Sequence, residues 1–229
     1  MHKIELVIFD CDGVLVDSEY LSNKISAELI TKAGYKIDGS TISQNYAGLT
    51  FLDILKEIEK IASVPISANL IPQMTQEFRR RMKKELHALP DIKATIEKMV
   101  YPFCICSNAR YQEIVDMLKL VNLYEPFAGK IFSAPECGTQ KTKPQPDIFI
   151  YAAQKYQVNP ENCIVIEDSV HGVTGARRAN MRVIGFTGGS HSYDGHADAL
   201  TNAGAETVIH QHKTLLPVLK ALEEWHPDL

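Results

Sequence analysis

The sequence predicts an α/β fold built on a parallel sheet, and three observations carry that prediction. Short runs rich in β-branched residues recur along the chain and are apolar nearly throughout, as strands covered on both faces are. Amphipathic segments follow most of these runs, and strand–helix alternation means parallel strands joined by right-handed crossovers. From Ser18 to about His87 only helix-period segments occur, which predicts a helical unit inserted after the first strand.

The elements follow in order. The first run, residues 4–9, stops at Asp10-Cys11-Asp12-Gly13. In the insert, residues 21–33 form a helix closed by Gly34, a favourable residue just past a helix end. Thr50 caps a helix over residues 51–61, whose stripe is Phe51, Ile54, Leu55 and Ile58. A helix over residues 74–86 follows Pro72, which either opens that helix or kinks a longer one. Beyond it, residues 103–106 run into Ser107-Asn108, and residues 111–120 are amphipathic. Ile131-Phe132 is a short run that ends near Ser133, and residues 147–155 form a helix opened by an acid. Residues 163–166 run into Glu167-Asp168-Ser169, and Ser169 caps a helix reaching Ala179. Residues 182–186 exit into Thr187-Gly188-Gly189, and a helix over residues 213–225 closes the chain. No internal repeat or low-complexity tract interrupts this order.

Composition narrows the function classes. The 229 residues are 45% hydrophobic and 23% charged, as in a globular protein with room for a substantial core. A net charge of −4, from 28 acids and 24 bases, argues against nucleic acid as a main partner. No apolar run approaches the roughly 20 residues of a membrane-spanning helix, so no membrane partner is expected. Residues 1–10 lack the apolar stretch and cleavage site of a secretion signal, and the cytoplasm is the expected location. The five cysteines (Cys11, Cys104, Cys106, Cys137 and Cys163) lack zinc-site spacing and suit a reducing compartment without disulfides.

In an open α/β sheet, ligands bind at the carboxyl ends of the strands. Here those ends carry Asp10 and Asp12, Ser107 and Asn108, and Glu167 and Asp168, with Lys143 in an intervening loop. Paired carboxylates suit a hard cation such as Mg²⁺, which commonly bridges to a phosphate, and lysine is a mobile charge for a phosphoryl oxygen. Asp10 and Asp12, two apart, project to the same side of extended backbone, where one can attack phosphorus and the other can move protons. Alone, such a pair reads more readily as a turn or helix cap.

The surrounding residues change that balance. Residues 10–19, Asp10-Cys11-Asp12-Gly13-Val14-Leu15-Val16-Asp17-Ser18-Glu19, closely resemble the first signature of the haloacid dehalogenase superfamily. Ser107-Asn108, Lys143-Pro144-Gln145-Pro146-Asp147 and Glu167-Asp168-Ser169-Val170-His171-Gly172 resemble its later signatures, in the same order. The resemblance, closest to the β-phosphoglucomutase-like and sugar-phosphate phosphatase branch, implies a Rossmann-like parallel sheet core with a small all-α helical-bundle cap. The core would be residues 1–17 and 88–229, and the cap residues 18–87. It implies that Asp10 is the nucleophile and Asp12 the general acid/base, with Lys143 neutralising both nucleophile and phosphate. Mg²⁺ would be held by Asp10, the Asp12 carbonyl and Asp168, with Glu167 a ligand directly or through water. Ser107 and Asn108 would bind the transferring phosphoryl group. Gly48-Leu49-Thr50-Phe51 falls where the family commonly has a Gly-x-Ser/Thr cap loop, which makes Thr50 a substrate-binding candidate.

The resemblance also has departures. β-Phosphoglucomutases follow that loop with an arginine for the second phosphate and carry an early cap histidine; here those positions read Phe51 and Ser22. The expected function is therefore a Mg²⁺-dependent phosphatase acting on a sugar phosphate or sugar-acid phosphate through an aspartyl-phosphate, with a phosphosugar isomerase as the alternative. Metal-free dehalogenases lack the second aspartate, which is present here as Asp12, and phosphate-accepting receiver modules are about half this length without a helical insert. The expected partner is a small phosphorylated metabolite. A monomer is expected, with a dimer left open.

Other conspicuous residues have plainer readings. The glycines of residues 185–190 lack the Gly-Lys-Ser/Thr ending of a P-loop and read as a strand-exit turn bordering the site. His191, His196, His210 and His212 lack the rest of a metal-ligand set and read as exposed loop histidines. Arg79, Arg80, Arg81, Lys83 and Lys84 read as a solvated helix face. Tyr20, Ser22, Tyr46 and Phe51 are candidates for the cap face that looks into the cleft.

Overall fold

The computed structural model describes residues 3–47, 49–62 and 69–224. Its six strands are β1 (Leu6–Phe9), β2 (Phe103–Ser107), β3 (Ile131–Ser133), β4 (Cys163–Glu167), β5 (Arg182–Phe186) and β6 (Thr207–Ile209). They form one all-parallel sheet in the order β3-β2-β1-β4-β5-β6. β1 is therefore a central strand, and Phe9 lies beside both Ile105 and Ile166. That register brings the ends of β1, β2 and β4 to one edge.

The alternation of side chains along the strands builds two apolar layers. Val7, Phe9, Ile105, Ile164 and Ile166 face one way. They pack with α5 (Ile92–Glu97), α6 (Tyr111–Leu120), α7 (Tyr124–Phe127) and α11 (Leu215–Glu224). Leu6, Ile8, Cys104, Cys106, Cys163 and Val165 face the other way, against α8 (Asp147–Tyr156), α9 (Val170–Arg178) and α10 (His196–Ala203). All five cysteines are free and all but Cys137 are buried, where they act as small apolar side chains.

Between β1 and β2 the described residues form four further helices: α1 (Ser18–Lys32), α2 (Gly39–Asn45), α3 (Phe51–Ile61) and α4 (Leu70–Glu85). They share an apolar cluster of their own around Leu21, Ile25, Ile30, Ile42, Ile54 and Ile58. Thr50 caps α3 as its sequence predicts, accepting from the Asp53 amide at 3.2 Å. α4 starts before Pro72, which sits in the first turn and so leaves no helical hydrogen bond unmade. The chain enters and leaves this unit through adjacent segments. Asp17 N donates to His87 O at 3.0 Å and Leu89 N to Leu15 O at 3.0 Å. No described helix is long and apolar enough to cross a membrane. Trp225, at the end of the expected last helix, lies outside the described residues.

His212 corrects the reading of the late histidines as exposed: His191, His196 and His212 are all buried. The His212 ring stacks on Phe186 at 4.2 Å and its Nε2 pairs with the Val14 carbonyl at 2.7 Å. Burial lowers its pKa from 6.5 to about 4. The unfolded chain thus takes up a proton between those values that the folded chain refuses, so stability is complete above pH 6.5 and falls as pH drops towards 4. The loss amounts to about 3 kcal/mol. Denaturant unfolding at pH 7 and pH 4.5 should show a larger loss in wild type than in His212→Gln; equal losses would contradict this.

Candidate active site

The strand ends gather acids around one lysine. Asp10 follows β1, its amide bonded to the Ile166 carbonyl at 3.0 Å, and its Oδ1 accepts from Lys143 Nζ at 2.5 Å. The same ammonium donates to Glu167 Oε2 at 2.8 Å. Lys143 is held by Asn108: its backbone amide donates to Asn108 Oδ1 at 2.8 Å and its carbonyl accepts from Nδ2 at 3.3 Å. Asn108, expected at the phosphoryl group, thus spends both ends of its amide on positioning Lys143.

Asp12 is oriented by two hydroxyls. Ser18 Oγ donates to its Oδ1 at 2.6 Å and Ser107 Oγ to its Oδ2 at 3.3 Å. Its carboxylate therefore stands apart from the oxygen cluster of Asp10, Glu167 and Asp168, whose ligand atoms lie within 4.8 Å of one another. Asp168 accepts from His191 Nε2 at 2.9 Å, and its carbonyl from His196 Nε2 at 2.7 Å. Two glycines let the backbone approach these acids. At Gly13 (φ +73°) a Cβ would lie 1.9 Å from Asp168 Oδ2, and at Gly172 one would lie 1.9 Å from Glu167 Cδ.

The electrostatics follow from burial. Asp10 is pushed well above the usual carboxylate range by burial and then by Glu167, with Lys143 opposing. Burial raises Glu167 and Asp12 as well, although the Ser18 and Ser107 hydroxyls pull Asp12 back. Burial works against the Lys143 charge, but Asp10 and Glu167 outweigh it and hold the ammonium protonated. Glu19, half-buried in the first turn of α1, is pushed up to about 7 by burial and by the charges of Asp168 and Asp12. Three buried carboxyls, Asp10, Glu167 and Asp168, around one ammonium make a hard-oxygen donor set with excess negative charge, which fits a small divalent cation.

A cavity of about 800 Å³ opens above this cluster, between the sheet edge and the helical insert. Asn23, Gln44, Asn45, Tyr46 and Thr50 line its far side. The Thr50 hydroxyl is engaged with Asp53, donating to Oδ2 at 2.7 Å. Gly48 of the same loop lies outside the described residues. A second cavity of about 1320 Å³ runs between α4 and α6, with Ser22, Phe78, Arg79, Lys83 and Arg110 on its walls. Of the candidate cleft residues, Tyr46 borders the first cavity and Ser22 the second, while Tyr20 is exposed and Phe51 packs into the insert's apolar cluster.

The basic run is not wholly solvated: Arg81 is buried and pairs with Glu28 and Glu85, both at 2.7 Å. Sequence reasoning missed Glu19, His191 and His196 as neighbours of the acids. The loop after β5, read as a turn, folds back so that Ser190 N donates to Asp17 Oδ1 at 3.1 Å, which carries His191 to Asp168.

The profile of the haloacid dehalogenase-like hydrolases matches residues 7–186. A 6-phosphogluconate phosphatase of Escherichia coli is 28% identical over 193 residues, covering 84% of this chain and 86% of its own. A phosphorylated carbohydrates phosphatase of Thermotoga maritima is 25% identical over 222 residues, covering 95% and 99%. The crystal structure of a conserved haloacid dehalogenase-like protein of unknown function from Agrobacterium tumefaciens superposes with a TM-score of 0.93. It is 43% identical, covering 96% of this chain and 99% of its own.

Proposed function

This chain belongs to the haloacid dehalogenase-like hydrolases, and from that membership we propose a Mg²⁺-dependent phosphatase that cleaves a sugar phosphate or sugar-acid phosphate through an aspartyl-phosphate. It is a phosphoric monoester hydrolase, and the phosphorylated carbohydrate and sugar-acid phosphate in its relatives' names support that substrate range. The observation that carries the reading is the Lys143 ammonium shared between Asp10 and Glu167 beside an independently held Asp12.

Asp10 attacks phosphorus in line with the ester oxygen; a bond from Asp10 to phosphorus forms as the bond to the leaving alcohol breaks. Asp12, its pKa raised by burial, gives its proton to the departing oxygen and later takes one from the water that cleaves the aspartyl-phosphate. Lys143 opposes the effect of burial on Asp10, favouring its ionised form, and balances charge on the phosphoryl oxygens. Ser107 stands beside the transferring group. Mg²⁺ would be held by the Asp10 and Asp168 carboxylates and the Asp12 carbonyl, with Glu167 direct or through water, and would neutralise charge on the phosphoryl group. Residues 18–87 serve as a cap that keeps bulk water from the reacting atoms. The cytoplasm, where thiols stay reduced, suits the five free cysteines.

The isomerase alternative is not favoured, because Phe51 packs among the insert's apolar residues where a mutase would carry its phosphate-binding arginine. Phosphate release from a panel of sugar and sugar-acid phosphates tests the reading. Release with Mg²⁺ should fall at least about a hundredfold with chelator and return when the metal is restored. Release indifferent to chelator would remove the metal from the reading, and no release from any ester would remove the phosphatase.

A further inference from the structure

The two cavities beside the acid cluster share only Asp12 and Glu19 among their described lining residues. Asp12 is tied to two hydroxyls, but the Glu19 carboxylate makes no hydrogen bond or ion pair among the described residues, although it is half-buried. An acceptor held there without a partner needs one from a ligand or from water.

The cavity over Asp10 constrains what that ligand is. Its far side offers uncharged polar groups, Asn23, Ser43, Gln44, Asn45 and Tyr46, which both donate and accept. Among the described residues its only lysine or arginine is Lys143, whose ammonium is already paired with Asp10 and Glu167. Asp53 adds a further acid to the lining. A leaving group with a second anionic group would meet the unpartnered Glu19 carboxylate there and no unpaired lysine or arginine among the described lining residues, a repulsion that disfavours it. Asp53 is itself paired with Lys56, and His191 and His196 are engaged with Asp168. Hydroxyls, in contrast, satisfy amides and a carboxylate together. Arg79, Lys83 and Arg110, which could hold an anion, stand in the other cavity.

We propose that this site selects phosphate esters of uncharged polyhydroxyl alcohols over those of sugar acids and bisphosphates, with Glu19 as the specificity residue accepting from a leaving-group hydroxyl. The proposal rests on the phosphatase reading above and narrows it.

The test measures kcat and KM with Mg²⁺ for matched pairs, glucose 6-phosphate with 6-phosphogluconate and ribose 5-phosphate with its aldonic acid phosphate. p-Nitrophenyl phosphate, which has no sugar hydroxyls, serves as the reference ester. Wild type should favour the neutral member of at least one pair by tenfold or more in kcat/KM. Glu19→Gln should lower the ratio of that sugar ester to p-nitrophenyl phosphate about tenfold, through KM rather than kcat, and narrow the gap to the acid. A general structural role would lower both esters alike. Preference for the acidic members or for fructose 1,6-bisphosphate in wild type, or an unchanged ratio in Glu19→Gln, would overturn the proposal. Absence of release even from p-nitrophenyl phosphate would overturn the phosphatase reading itself, and this one with it.

Discussion

Asp10→Asn should abolish phosphate release, lowering kcat by about four orders of magnitude or more, while leaving the folded state intact. An amide of the same shape keeps the position at the end of β1 but cannot attack phosphorus. The fold should not suffer. Asp10 is pushed above the usual carboxylate range because its charge is buried beside Glu167, so that charge works against folding. Lys143 keeps Glu167 as a partner at 2.8 Å. The thermal midpoint of the variant should therefore match wild type or exceed it. Turnover within tenfold of wild type would sink the covalent mechanism; a collapse of the midpoint would sink the electrostatic account.

Lys143→Ala should be the more damaging change, because it strikes both chemistry and stability. Turnover should drop about a thousandfold, since an anionic nucleophile would then face an anionic phosphate without a counter-charge. Stability should fall by about 3–5 kcal/mol at neutral pH, the usual effect of stripping one partner from a buried ionic cluster. The pH dependence has a definite sign. Asp10 and Glu167 already have folded pKa values above the usual range, and losing the ammonium raises them further. A carboxyl of that kind favours folding at low pH and loses the contribution as pH rises through its folded value. The deficit against wild type should thus be smaller at pH 5 than at pH 8 in denaturant unfolding. An unchanged rate would remove Lys143 from the site, and a deficit that grows on acidification would contradict the charge argument.

Much of this was legible in the sequence, for identifiable reasons. β1, β2, β4 and β5 are covered on both faces, so their runs are apolar nearly throughout, and their ends announce Asp10, Ser107 and Glu167. β6 escaped notice because its three residues open on a threonine and are mostly half-buried, whereas the equally short β3 shows an apolar Ile131-Phe132, and α2, α5 and α10 are too short to display a full amphipathic stripe. α1 begins at Ser18, ahead of its expected start at residue 21, because the apolar periodicity sets in only at Leu21. The acids were found because they sit in ordered motifs at strand ends, and Lys143 because its loop carries a motif that falls in order between them. The closeness of Glu19 and His191 to those acids was not, since it depends on the direction in which α1 leaves the sheet and on a loop folding back past Gly13. Linear patterns carry period and spacing, and neither property is one of those.

The position of β1 also has a bearing on synthesis. Of the six strands it is synthesised first, yet Val7 finds its neighbours in Phe103 on one side and Ile164 on the other. A nascent chain that stops before Cys163 already carries Asp10 and Asp12 but neither Glu167 nor Asp168, and one edge of β1 is still bare. Only local helix contacts, those of the insert foremost, can form early at small entropic cost. Pairing of the second edge of β1 and completion of the acid cluster are thus the same late event.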